Sequence, residues 1–202
     1  MEKNKNTNKT HNLAEGSIPR LVIGLAIPSV IAQLVTMVYN MVDRIYIGHT
    51  ANGTTAMAAL GITLPIITLI TAITNLFGMG GAPLCAISLG QKNLERAERI
   101  MANSFICLIV SSLIITIGVL IFQEPILYLF GADTLTINPA KEYITIYILG
   151  TVFVQLTVGM NAYINTQGFT TTGMKTVLLG AILNIILDPV FIYLFDMGIR
   201  GA

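Results

Sequence analysis

Residues 176–195 read TVLLGAILNIILDPVFIYLF, a stretch of 20 residues in which Asp188 is the only charged side chain. A helix needs about 20 mainly apolar residues to cross the hydrocarbon core of a bilayer. A carboxylate near the membrane centre costs about 2.5–3.5 kcal/mol on insertion scales, so such acids usually face a bundle interior or a wet cavity on an ion or substrate path. The stretch therefore predicts a membrane-spanning helix that carries a functional acid.

Two neighbours of Asp188 strengthen this interpretation. Pro189 lacks an N–H, which frees the carbonyl of Ile185 and predicts a bend beside the acid. Asn184 precedes Asp188 by one helical turn, so the amide and the carboxyl group share a face. A hydrogen bond from Asn184 to another helix is an equally open alternative, because polar side chains commonly join membrane helices.

The whole chain has the composition of an integral membrane protein. Of its 202 residues, 54% are hydrophobic and 10% are charged, and the mean hydropathy is +0.76; soluble domains have about 25% charged residues. We predict an all-α, polytopic membrane helix bundle with five spans near residues 19–47, 56–89, 100–122, 143–165 and 176–195. In the second span, we expect residues 78–83 to interrupt the helix, and the glycines of residues 78–81 indicate close helix packing or a bend.

The basic residues predict how the bundle is oriented. Eight of the 11 fall on the side of the N-terminus, and Arg44, Lys141 and Arg200 fall on the other side. The positive-inside rule then places the N-terminus in the cytosol of a multi-pass plasma-membrane protein. Residues 1–18 are expected to form a disordered cytosolic tail and residues 19–202 the membrane domain. Because the net charge is +1 and the basic residues are spread over several loops, we expect no nucleic-acid partner.

Asp43 is a second acid near the outer end of its span, and Tyr39 lies one turn earlier on the same face. One interpretation pairs Asp43 with Arg44 at the membrane interface, where the arginine reaches the headgroups. The other places the acid inside, because it precedes Ile47 by four residues and Asp188 precedes Phe195 by seven. At 1.5 Å per residue these depths are roughly 6 and 10 Å, so both acids can share an outer-half cavity.

Two carboxyl groups in one poorly solvated pocket repel each other when both are ionised. A proton or a sodium ion held by oxygen ligands relieves the repulsion and lets the surrounding helices close, which couples ion occupancy to conformation. We therefore predict a cation-coupling site made by Asp43 and Asp188, with neutral oxygens from Tyr39 and Asn184. No cofactor is expected besides the proton or sodium ion.

The fourth span carries three amides, Gln155, Asn161 and Asn165, which either bond between helices or line a cavity. Near its start, Tyr143 and Tyr147 are typical of aromatic anchors at the membrane interface. The sequence has no HExxH or GxSxG motif, so we predict that the protein is not an enzyme.

Several motifs, in order along the chain, resemble those of multidrug and toxic compound extrusion (MATE) transporters. Residues 25–49 and 58–61 resemble the first helix of that family and the loop after it. Residues 75–81 look like its second helix, residues 129–132 (LFGA) fit its third external turn, and residues 184–189 (NIILDP) resemble its fifth helix. The resemblance covers nearly all of the chain after the tail.

The resemblance implies a transporter of twelve helices in two lobes, of which this chain supplies five complete helices of the six-helix N-terminal lobe. It implies export of small organic cations, often aromatic drugs, in exchange for protons or sodium ions. Asp43, Asn184 and Asp188 match the cation-coupling site of that lobe in many members, and Tyr39 and Asn161 match its hydrogen-bonding neighbours. The missing C-terminal lobe is then a required partner.

A flippase for lipid-linked precursors is the alternative function, because related exporters share the architecture. Such a protein would favour cationic residues inside the cavity to hold phosphates, and the predicted spans contain none.

Overall fold

Five long helices follow from the apolar stretches of the sequence. They are α1 (Ile18–Gly48), α2 (Gly53–Gly90), α3 (Leu94–Leu129), α4 (Ile137–Thr166) and α5 (Thr170–Pro189). The computed structural model describes residues 18–50, 52–195 and 197–201, and this part of the chain contains no β-strand. All five helices are long and apolar enough to cross a membrane. The predicted all-α bundle is confirmed, and the predicted tail lies outside the described residues apart from residue 18.

The helix α3 is longer at both ends than the span predicted at residues 100–122. It begins at Leu94 because the side chain of Asn93 accepts a hydrogen bond from the amide of Arg96 at 3.0 Å and caps the helix. It bends at Phe122, where φ is −106° and ψ is 15°, and then continues to Leu129. The bend lies just before Pro125, which cannot donate a backbone hydrogen bond within the helix.

The expected interruption of the second span is wrong, because α2 continues as one helix through residues 78–83. Its glycines instead permit close packing against α4. A Cβ added at Gly78 would lie 2.8 Å from the Cα of Gly159, and one at Gly81 would overlap the Tyr163 hydroxyl group. A Cβ added at Gly80, between them, would have nothing within 4 Å. The glycines thus set the distance between the two helices.

The helices form two groups. The helices α2, α3 and α4 pack against one another, whereas α1 packs mainly on α5. Buried isoleucines of α2 and α4, such as Ile70 and Ile148, form the main apolar core. Ile47 is the only buried residue among those of α1 whose burial is described. The first group is therefore the tightly packed part of the fold.

The regular part of α5 ends at Pro189, and a π-helical turn, Val190–Leu194, follows it directly. The amide of Phe195 closes this turn on the carbonyl of Val190 at 3.0 Å. Proline removes a donor from the α-helical pattern, which explains why the helix geometry changes beside the acid at residue 188. A short 3₁₀ helix, Gly198–Gly201, packs against the turn.

The loop before α4 is ordered by Asp133. Its carboxylate accepts hydrogen bonds from the hydroxyl and amide groups of Thr136 and from the amide of Leu135. These donors, the Thr136 hydroxyl first, hold the pKa of Asp133 below its usual range.

Candidate cation site

Asp188 and Asn184 meet as their spacing predicts. Asp188 is on the last turn of α5 and is only 3% exposed. The Asn184 amide donates a hydrogen bond from Nδ2 to Asp188 Oδ1 at 2.9 Å. The other carboxylate oxygen, Asp188 Oδ2, and the amide oxygen Asn184 Oδ1 are buried and accept no hydrogen bond from any described residue. This face of α5 therefore presents two oxygens that still have acceptor capacity.

Asp43 on α1 faces the same region. It is half-buried, and it lies near enough to Asp188 for the two charges to interact. Its Oδ1 atom is also buried and receives no hydrogen bond within the described part of the chain. The neighbouring Arg44 is exposed and forms no ion pair with Asp43 among the described side chains. The structure therefore favours the interior position of Asp43 over the interfacial pair.

The three oxygens Asp43 Oδ1, Asp188 Oδ2 and Asn184 Oδ1 are all acceptors, and each is buried without a hydrogen bond among the described residues. A buried polar atom without a partner costs about 1–3 kcal/mol. A bound proton, or a hard cation that prefers oxygen ligands, would give these oxygens a partner. An anion would instead add to the repulsion between the two carboxylates. The donor set of the site therefore fits a proton or a sodium ion.

Tyr39 and Tyr143 lie near Asp43. Tyr39 of α1 is half-buried one turn before Asp43, as predicted. The rings of Tyr143 and Tyr147 of α4 stack with their centroids 6.2 Å apart. Tyr143 is close enough to Tyr39 and Asp43 to interact with their charges. The interpretation of the α4 pair as interface anchors missed this position, because they pack against the core rather than extend away from it. Their four-residue spacing places both rings on one face of α4, but it does not indicate which neighbouring helix that face meets.

Asn161 lies away from the two acids, near the start of α5. Its Nδ2 atom donates to the carbonyl of Gly173 at 3.3 Å and to Thr176 Oγ1 at 3.1 Å, and its Oδ1 atom accepts from Asn165 at 3.1 Å. Thr176 precedes Asp188 by 12 residues, roughly 18 Å along α5. The structure therefore shows the helix-to-helix bond and does not bring Asn161 to the acids. Its role in lining a cavity stays a prediction.

The MatE family model matches residues 28–190, which run from within α1 to the end of α5 and include both acids. This chain belongs to the MatE family. The multidrug export protein MepA of Staphylococcus haemolyticus is 29% identical over 188 residues, which are 93% of this chain and 41% of that relative. The chain thus spans about two fifths of the relative's length, which is consistent with the N-terminal lobe of a MatE transporter.

Solved MatE structures share the fold. One described as the outward-facing conformation of a multidrug resistance MATE family transporter matches with a TM-score of 0.88 and 28% identity, covering 98% of this chain and 44% of that one. Another, described as MATE in complex with MaD3S, matches with a TM-score of 0.89 and 27% identity, covering 96% and 44%. The family resemblance seen in the sequence is confirmed, and the chain is a multi-pass membrane protein.

Proposed function

We propose that this chain is the N-terminal lobe of a multidrug exporter that exchanges protons or sodium ions for small organic cations across the plasma membrane. The observation that carries the proposal is the group of buried oxygen acceptors contributed by Asp43, Asp188 and Asn184. Tyr39, half-buried one turn before Asp43 on the same face of α1, would add a neutral hydroxyl group. The N-terminus is cytosolic in this proposal, and the protein is not an enzyme.

The geometry suggests how an ion drives the export. Without a cation, two neighbouring carboxylates repel each other and favour separation of α1 from α5. With a proton or sodium ion between them, the repulsion is relieved and the two helices can approach. Exchange of one monovalent ion for one monovalent organic cation moves no net charge, so the concentration gradient of the ion drives it. Each tenfold ion gradient supplies about 1.4 kcal/mol, which corresponds to roughly tenfold accumulation of the substrate.

Transport needs more than this chain in the proposal. Alternating access takes two halves that rock around a shared site, and the chain spans less than half of the matched transporters. A C-terminal lobe is therefore the partner, together with the bilayer and the organic cation. Relatives described as multidrug export proteins do not favour the flippase alternative.

Ethidium efflux from vesicles that contain the full-length protein tests the coupling role. We expect Asp43→Asn and Asp188→Asn each to remove the ion-driven accumulation of ethidium, which is roughly tenfold for each tenfold ion gradient. Glu98→Gln is the matched control, because Glu98 is an exposed acid at the start of α3 with no ion pair among the described side chains. Unchanged ion-driven efflux in both Asp variants would contradict the proposal.

A further inference from the structure

Tyr193, in the π-helical turn after α5, connects that turn to the outer end of α1. Its hydroxyl group donates a hydrogen bond to the carbonyl of Tyr46 at 2.8 Å. The two tyrosine rings also meet edge to face, with centroids 6.3 Å apart and planes at 88°. Such aromatic pairs contribute attraction beyond the area that they bury. The contact thus combines a directional bond with ring packing.

This is the only hydrogen bond that joins α1 to another helix within the described residues. The other side-chain hydrogen bonds of α1 return to its own backbone, as Ser29 and Thr36 show. The carbonyl of Tyr46 also accepts a hydrogen bond from the amide of His49 at 3.2 Å, and its second lone pair is available for Tyr193. The rest of the attachment of α1 is apolar packing, which is not directional.

Both ends of the contact are close to the acids along their helices. Tyr46 follows Asp43 by three residues and Tyr193 follows Asp188 by five, roughly 5 and 8 Å of helix. A rotation of α1 would turn Asp43 away from Asp188, and apolar attraction is not directional, so it does not by itself set that rotation. A single directional bond at this level fixes the rotation of α1.

We propose that Tyr193 is a positioning residue that holds Asp43 of α1 against Asp188 of α5 through the carbonyl of Tyr46. The proposal rests on the proposed function, because it concerns the geometry of the same cation site. The π-helical turn contributes to this arrangement, because it changes the helix geometry after Pro189. Within the turn, Tyr193 contacts α1 and Ile192 is buried. Tyr193 touches neither the ion nor the substrate in this scheme.

The side chain of Tyr193 is 47% exposed, so its removal leaves no internal cavity. Tyr193→Phe keeps the ring contact and removes the hydrogen bond, whereas Tyr193→Leu removes both. Tyr128→Phe is the control, because Tyr128 is similarly exposed, at 49%, and forms no side-chain hydrogen bond among the described residues.

The experiment measures ethidium efflux by the full-length protein in proteoliposomes, at varied coupling-ion and varied ethidium concentrations. We expect Tyr193→Phe to raise the half-saturating ion concentration two- to tenfold, the range equivalent to one hydrogen bond. Tyr193→Leu should raise it further. Neither variant should change the half-saturating ethidium concentration, and Tyr128→Phe should change neither value. A purely structural role would lower only the amount of active protein and hence the maximal rate.

Two results would overturn the proposal in distinguishable ways. If wild-type efflux does not depend on an ion gradient, the proposed function fails, and the role of Tyr193 fails with it. If the wild type is ion-dependent but Tyr193→Phe keeps its half-saturating ion concentration, only the positioning role through the Tyr46 carbonyl fails. A rise in the half-saturating ethidium concentration equal to the rise in the half-saturating ion concentration would also refute the positioning role, because it would indicate that Tyr193 takes part in substrate binding.

Discussion

Replacement of Gly81 by alanine tests whether the glycines of α2 set its distance from α4. The new methyl group would overlap the hydroxyl of Tyr163 and lie 2.8 Å from the Ser104 hydroxyl oxygen. Tyr163 is 1% exposed, and its hydroxyl donates to the carbonyl of Phe77 at 3.0 Å and also hydrogen-bonds the Ser104 hydroxyl. The tyrosine therefore has to move, and these bonds stretch or break.

The cost has two parts. Overpacking in a well-packed interior costs about 1–3 kcal/mol. Buried groups left without their hydrogen bonds cost about 1–3 kcal/mol more. Gly80→Ala is the matched control, because it adds the same methyl group at the next position of the same helix, where nothing lies within 4 Å. We expect Gly81→Ala to be less stable than Gly80→Ala by about 2–6 kcal/mol.

Unfolding in mixed micelles with increasing SDS, followed by circular dichroism, gives the two stabilities. A double-mutant cycle with Tyr163→Phe identifies the clash: without the hydroxyl group, the cost of Gly81→Ala should fall by about 1–3 kcal/mol. Equal stability of Gly80→Ala and Gly81→Ala would refute the packing argument. An undiminished cost of Gly81→Ala in the Tyr163→Phe background would show that the hydroxyl is not what the methyl group meets.

Three further predictions use the same unfolding measurement. Gly173→Ala should destabilise by about 1–3 kcal/mol relative to Gly180→Ala, because its methyl group would meet the amide oxygens of α4 whereas Gly180 faces open space. Ser111→Ala should cost about 1–3 kcal/mol because it leaves the buried oxygen of Gln155 unpaired, and a loss that persists in the Gln155→Leu background would disprove this. Asp133→Asn should reduce stability above about pH 4 and lose its effect as the pH falls through the lowered folded-state pKa of Asp133; an effect independent of pH would contradict the prediction.

The sequence predicted the five helices because uncharged stretches of membrane length carry a strong and local signal. The prediction was less reliable for the positions where helices end or are interrupted. The uncharged stretch that predicts the third span ends before Glu124, so the predicted span stops at Phe122, whereas the helix bends there and continues to Leu129. The break expected at residues 78–83 is absent, since helix packing in a membrane can place glycines where a partner approaches without ending the helix.

The pairing of Asn184 with Asp188 was predictable because both lie on one helix, and helical spacing alone fixes their geometry. The approach of Asp43 required an assumption about how α1 packs on α5, which the depths of the two acids supported. The positions of Tyr143 and Asn161 were not predictable in this way. Which face of α4 meets which neighbour depends on the packing of the whole bundle, and several amides and tyrosines on one helix give no unique answer.

The contrast between the two helix groups bears on where the lobe can move. The α2–α4 contact has no space for a methyl group at Gly78 or Gly81, so any relative displacement there would disrupt a close-packed surface. The α1–α5 contact instead combines apolar packing with one directional hydrogen bond near the C-terminal end of α1. A proton or sodium ion that changes the repulsion between Asp43 and Asp188 acts on this second contact. Ion occupancy should therefore displace α1 relative to α5 and leave α2, α3 and α4 in place, which distance measurements between spin labels on the two groups can check.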